Sequence, residues 1–123
     1  EQRLGENYKR TNPFKKIIDN GVVICGGSDS DVTEPRPLLG IHSAVNHPVA
    51  EHRVDIYEAL KMFTCNGAYG IFEENNKGTL EVGKLADVVI LDQDILSVPS
   101  NDIDKIKVNV TIKSGEILYN SLG

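Results

Sequence analysis

The sequence predicts an α/β fold with a β-rich tail. Three observations lead there. Val22-Val23-Ile24-Cys25 is a continuous apolar run directly after an amphipathic helical segment and Asn20-Gly21, capped helical segments follow to about Asn76, and strand patterns dominate from Gly78 onward. A run without alternation is what a strand buried on both faces looks like.

The first helix is expected from Pro13 to about Asp19, with Asn12 as its cap, Pro13 at the first helical position and Phe14, Ile17 and Ile18 on one face. The expected strand Val22–Cys25 ends in Gly26-Gly27. The polar stretch Ser28-Asp29-Ser30-Asp31 then runs to Pro35 and Pro37, a loop at the carboxyl end of that strand, where parallel α/β architectures build their sites. Leu38, Ile41 and Val45 mark a short helix closed by Pro48. Asp55, with Glu58 three residues on, signals the start of the next helix, whose apolar face is Ile56, Ala59, Leu60 and Phe63, and Cys65 is expected to be helical too.

In the tail, Thr79 to Val82 alternates, Val88 to Leu91 is continuous, and Ile106, Val108, Val110 and Ile112 alternate with polar residues. Ser114-Gly115 is a tight-turn dipeptide before Glu116 to Tyr119, so the last two strands should form a hairpin. Two parts are expected, 1–76 and 77–123.

The chain has 123 residues, and 13 Lys and Arg against 18 Asp and Glu leave a net charge of −5. That balance argues against nucleic-acid or anionic-membrane binding, both of which draw on clustered positive charge. A complete (β/α)₈ barrel takes roughly 250 residues, so this chain is too short for one. The longest apolar runs are strand-sized, far below the roughly 20 residues that span a bilayer. Two cysteines, Cys25 and Cys65, make no disulfide framework, and a cytoplasmic protein is expected. The first residue is Glu1 rather than Met, so the chain is read as a piece of a longer one.

Asp29 is the leading candidate for chemistry, because a carboxylate just past a buried strand, on a loop opened by two glycines, can be reached by a metal ion or a substrate. The competing reading is that Ser28 and Asp29 only shape the turn. A calcium loop is excluded, since counting from Asp29 puts Glu34 where glycine is needed and Gly40 where glutamate is needed. His42, His47 and His52 are five residues apart, which does not suit ligands on one helical face. Neither a dinucleotide fingerprint nor a phosphate loop is present. No histidine stands near either cysteine as a convincing partner for a thiol nucleophile.

The order Val22 to Asp29, then Glu58-Ala59-Leu60, then Thr64 with Asn66-Gly67-Ala68, then Gly78 to Asp92 resembles the C-terminal end of a metal-dependent amidohydrolase, and more narrowly the amidohydrolase 3 branch. The resemblance runs from about Arg3 to Tyr119, and Lys77 to Asp92 is its most specific part. It implies a C-terminal fragment of a (β/α)₈ TIM-barrel enzyme, residues 1–76, followed by strands of a small β-sandwich, residues 77–123. Val22–Cys25 would be the eighth barrel strand and Asp29 the aspartate at its end, a metal ligand and general base. One or two divalent ions, commonly zinc, would activate water for hydrolysis of a carbon–nitrogen bond in a small amide-type substrate.

Where many members of the branch carry an Ala-Val-Thr-Arg type sequence, this chain has Ala44-Val45-Asn46-His47, which leaves His47 as a weaker candidate for a substrate contact. Gly83-Lys84 and Asp87 read as turn and strand-entry residues. Because the first seven strands would be missing, the chain alone is expected to be inactive, to hold no metal tightly and to form a homo-oligomer through the Pro13 to Ala68 region. The alternative function is a non-catalytic binding or assembly module.

Overall fold

A computed structural model of the chain describes residues 3–123. Four short helices come first, α1 (Phe14–Asp19), α2 (Pro37–Val45), α3 (Ile56–Met62) and α4 (Cys65–Gly70). A sheet of β1 (Val88–Leu91), β2 (Val108–Lys113) and β3 (Glu116–Asn120) follows. Three 3₁₀ turns of helix, Gly5–Arg10, Ala50–His52 and Ser100–Lys105, connect them.

Local signals place most boundaries to within a residue or two. Asp55 caps α3 by accepting a hydrogen bond from the Glu58 amide at 2.9 Å, as its spacing predicts. α2 begins with Pro37 at its first turn, where a missing N–H costs nothing. α1 starts one residue later than expected: Asn12 has φ +50° and its carbonyl accepts from Phe14 N, so Pro13 stands in the cap position. The helix expected to include both Asp55 and Cys65 is broken at Phe63 and Thr64 into α3 and α4.

β2 and β3 form the expected hairpin, closed by Ser114 and Gly115 at φ +52° and +85°, the double positive φ that suits the twist of paired strands. β1 pairs antiparallel with β2, from Val88 opposite Ile112 to Leu91 opposite Val108. Ile106 is not the first residue of β2. It follows the 3₁₀ helix and is buried, and the strand starts at Val108.

Two expected strands are corrected. Val22–Cys25 forms no strand and pairs with none among the described residues, and Val22 and Val23 are 54% and 48% exposed. Thr79–Val82 is also irregular, with Leu80 77% exposed. Apolar patterning prepares a segment for a sheet, but a ladder needs a second backbone beside it. Among the described residues neither segment has one.

The core lies between α2, α3 and the 3₁₀ helix of the tail: Ile41, Ala44, Val54, Ala59, Met62 and Ile103 are buried together. Phe14, Ile18, Ile24 and Phe63 pack around it half-buried. Ile103 comes from the C-terminal part, so this core crosses residue 76. Polar contacts reinforce the crossing, with Asn46 Nδ2 donating to Ser100 O at 2.9 Å and Arg36 Nη2 to Asp104 O at 3.2 Å. Among the described residues, no helix is long and apolar enough to cross a membrane.

Candidate active-site loop

The loop that carries Asp29 leaves the extended segment through Gly26-Gly27 and returns to α2 at Pro37. Backbone and hydroxyl bonds close it. Val32 N donates to Asp29 O at 2.7 Å, and the Thr33 hydroxyl donates to Ser28 O. The Asp29 carboxylate takes no part in that closure. Asp29 has φ +49°, a conformation that Asn and Asp tolerate better than most residues, and its side chain is exposed.

Beside the loop is a cavity of about 540 Å³ lined by Gly26, Gly27, Ser28, Arg36, Gly40 and Phe63 among others. Asp29 directly follows the lining residue Ser28 but does not itself line the cavity. Its walls combine an aromatic face with the Ser28, Thr33 and Ser43 hydroxyls and the Glu34–Arg36 pair, whose closest atoms are 3.4 Å apart.

His47 lies elsewhere. It is 7% exposed, its Nδ1 accepts from Val49 N at 3.1 Å, and its ring sits edge-on to Phe14 and tilted against His52. Arg53 Nε donates to the His47 carbonyl at 2.7 Å, tying the same corner together. His47 does not line the cavity, so the fold does not bring it together with Asp29 there. The other histidines also have their own partners: His42 Nδ1 is 3.5 Å from Asp104 Oδ1, and His52 Nε2 bonds Lys9 O at 2.8 Å.

Among the described residues, no group of three or more His, Cys, Asp or Glu side chains could hold a metal ion. Asp29 suits a divalent cation as a single oxygen donor, but a catalytic zinc centre normally takes three protein ligands. The donors present do not make a metal site by themselves. Cys25 and Cys65 are both free thiols.

Two residues near the loop carry no site signal of their own in the sequence. Phe63 reads only as part of the apolar face of α3, and Arg36 only as a residue between two prolines. The available signal was the pair of glycines, Gly26 and Gly40, each lacking the Cβ that Phe63 would strike.

A family model described as the amidohydrolase family, the amidohydrolase 3 branch, matches residues 1–119. The chain belongs to that family. It is 29% identical over 128 residues to YtcJ of Bacillus subtilis, named as an amidohydrolase, covering 95% of this chain and 24% of that protein. It is 26% identical over 128 residues to an N-substituted formamide deformylase of Arthrobacter pascens, covering 97% of this chain and 24% of that protein. In fold it is similar to the crystal structure of an amidohydrolase from Thermotoga maritima, with a TM-score of 0.68 and 22% identity over 89% of this chain and 26% of that one. The chain thus spans about a quarter of the length of the curated relatives it matches.

Proposed function

We propose that the chain is the C-terminal part of a metal-dependent (β/α)₈ amidohydrolase that hydrolyses a carbon–nitrogen bond in a small amide-type substrate. The observation that carries this reading is the exposed Asp29 carboxylate, free of its loop's own closure and next in sequence to the cavity-lining Ser28, in a chain of the amidohydrolase family. Asp29 would be one ligand of a divalent ion, most simply zinc, with the other ligands supplied from outside this chain. When bound, such an ion polarises the substrate carbonyl and acidifies water.

The work of this chain is proton transfer. Asp29 takes a proton from the attacking water and delivers it to the leaving nitrogen, so that a carbon–oxygen bond replaces the carbon–nitrogen bond. His47, turned into its own corner, is assigned at most a secondary contact with the substrate. We place the working compartment in the cytoplasm, in keeping with two free thiols. Alone, the chain should be inactive and self-associating, and a zinc titration of it by calorimetry should find no tight one-to-one complex.

The decisive experiment replaces Asp29 by Asn in an enzyme that supplies the complete barrel, assayed with an N-substituted formamide and a panel of other amides at saturating zinc. General acid–base catalysis is worth roughly 10²- to 10⁴-fold, so turnover should fall by about that factor with the fold intact. Near-normal turnover in the variant would leave Asp29 as a turn residue and overturn the proposal.

A further inference from the structure

Among the described residues no strand lies beside 22–26, yet the segment is held at fixed points by the junction of α3 and α4. Asn66 Nδ2 donates to Ile24 O at 3.0 Å, across 42 residues of sequence. The Cys25 thiol donates to the Asn66 main-chain carbonyl at 2.9 Å. Gly26 N donates to Met62 O at 2.8 Å. The Cys65 thiol lies 3.6 Å from Asn66 Oδ1, which directs the oxygen of the amide toward Cys65 and leaves its NH₂ facing Ile24.

We infer that Asn66 is a positioning residue for the Asp29 loop, standing in for a missing strand neighbour by giving and taking one hydrogen bond on consecutive residues of the segment. The bonds end at Gly26, and Asp29 is three residues further on. Phe63 completes the mount, since its ring fills the space beside both Gly26 and Gly40 and prevents the segment from closing onto α2. A carboxamide suits this position where a carboxylate of the same shape does not. The carboxylate would place an acceptor against the Ile24 carbonyl, and a part-buried donor–acceptor bond replaced by two facing acceptors is lost with a penalty.

The inference rests on the proposed role of Asp29 for its meaning, but its test does not need turnover. In the full 123-residue chain, amide hydrogen exchange is followed by NMR in the native protein, Asn66→Asp and Cys25→Ala, each with its melting temperature. Gly26 is the reporter because its amide is bonded to Met62 O. Asn66→Asp should speed exchange at the Gly26 amide at least tenfold and shift the amide resonances of residues 25 to 29, while amides of β2 and α2 keep their native rates. Cys25→Ala, which removes one bond without adding charge, should act in the same direction with a smaller change, and it serves if Asn66→Asp does not fold. Unchanged exchange at Gly26 together with unshifted Gly27 to Asp29 resonances would overturn the inference. So would a uniform acceleration that follows the melting temperature, because that marks a purely structural residue.

In the barrel-bearing enzyme, a misplacement of about 1 Å can cost on the order of 100-fold, so Asn66→Asp should lower kcat about 10- to 100-fold with KM little changed. Loss of kcat in Asn66→Asp but not in Asp29→Asn would refute the assignment of Asp29 and leave the mount standing. Loss in Asp29→Asn alone would refute the mount.

Discussion

The Phe63 ring occupies the space that a Cβ on Gly40 would need, with Cζ the nearest atom to that position. A Cβ on Gly26 would meet the same ring, at Cε2 and Cζ. One ring thus stands against two glycines 14 positions apart in sequence, and Gly26, Gly40 and Phe63 together line the cavity.

Gly40→Ala sets two opposing effects against each other. Within a helix the change should stabilise by about 1 kcal/mol through propensity alone. Overpacking against the Phe63 ring costs roughly 1 to 3 kcal/mol, so the expected net result is destabilisation, read as a lower denaturation midpoint in urea. Phe63→Leu in the same chain should relieve it. A more stable Gly40→Ala single variant would show that the ring moves freely.

Ile103 is 2% exposed and packs against α2 and α3 although it belongs to the C-terminal part. Ile103→Ala should destabilise by about 2 to 5 kcal/mol and should lower the unfolding midpoint of the helical part and the sheet together. Far-ultraviolet and near-ultraviolet dichroism that separate into two transitions would instead make 1–76 and 77–123 independent units.

Self-association is expected of the chain because Val22 and Val23 are half exposed on an unpaired segment, and Ile117 and Leu118 are 62% and 64% exposed on the edge strand β3. Unpaired strand edges invite a second copy. Sedimentation velocity at micromolar concentration should show a dimer or larger species, whereas a compact monomer would refute the expectation.

The Asp94 carboxyl is held below the usual aspartate range by the Ser97 hydroxyl, at 2.5 Å, and by the Leu96 amide, at 3.0 Å. A depressed native value means that the unfolded chain binds the proton more readily. The stabilisation is thus present above the ordinary aspartate pKa and is lost as pH falls through the lowered native value. A carbon-detected NMR titration should find the Asp94 midpoint below that of an unstructured aspartate, and Ser97→Ala should raise it. No change in Ser97→Ala would remove the hydroxyl as the leading cause.

Asp55 as a helix cap, Ser114-Gly115 as a hairpin turn and the alternation of Val108, Val110 and Ile112 were legible in the sequence because each depends on neighbours within a few residues. The family was legible for another reason: its motifs lie in fixed order along the chain, and Asp29 takes its candidacy from that order. Tertiary structure alone decided the rest. Val22–Cys25 and Thr79–Val82 carry strand patterns, but a strand exists only beside a second backbone, and none of the described residues supplies one. His47 was named for its place in a motif, whereas its surroundings, Phe14, Val49 and His52, are set by packing. The reach of Asn66 to Ile24 and the wedging of Phe63 between Gly26 and Gly40 join segments that local pattern cannot relate, because which side chain fills a gap depends on how distant helices meet in space.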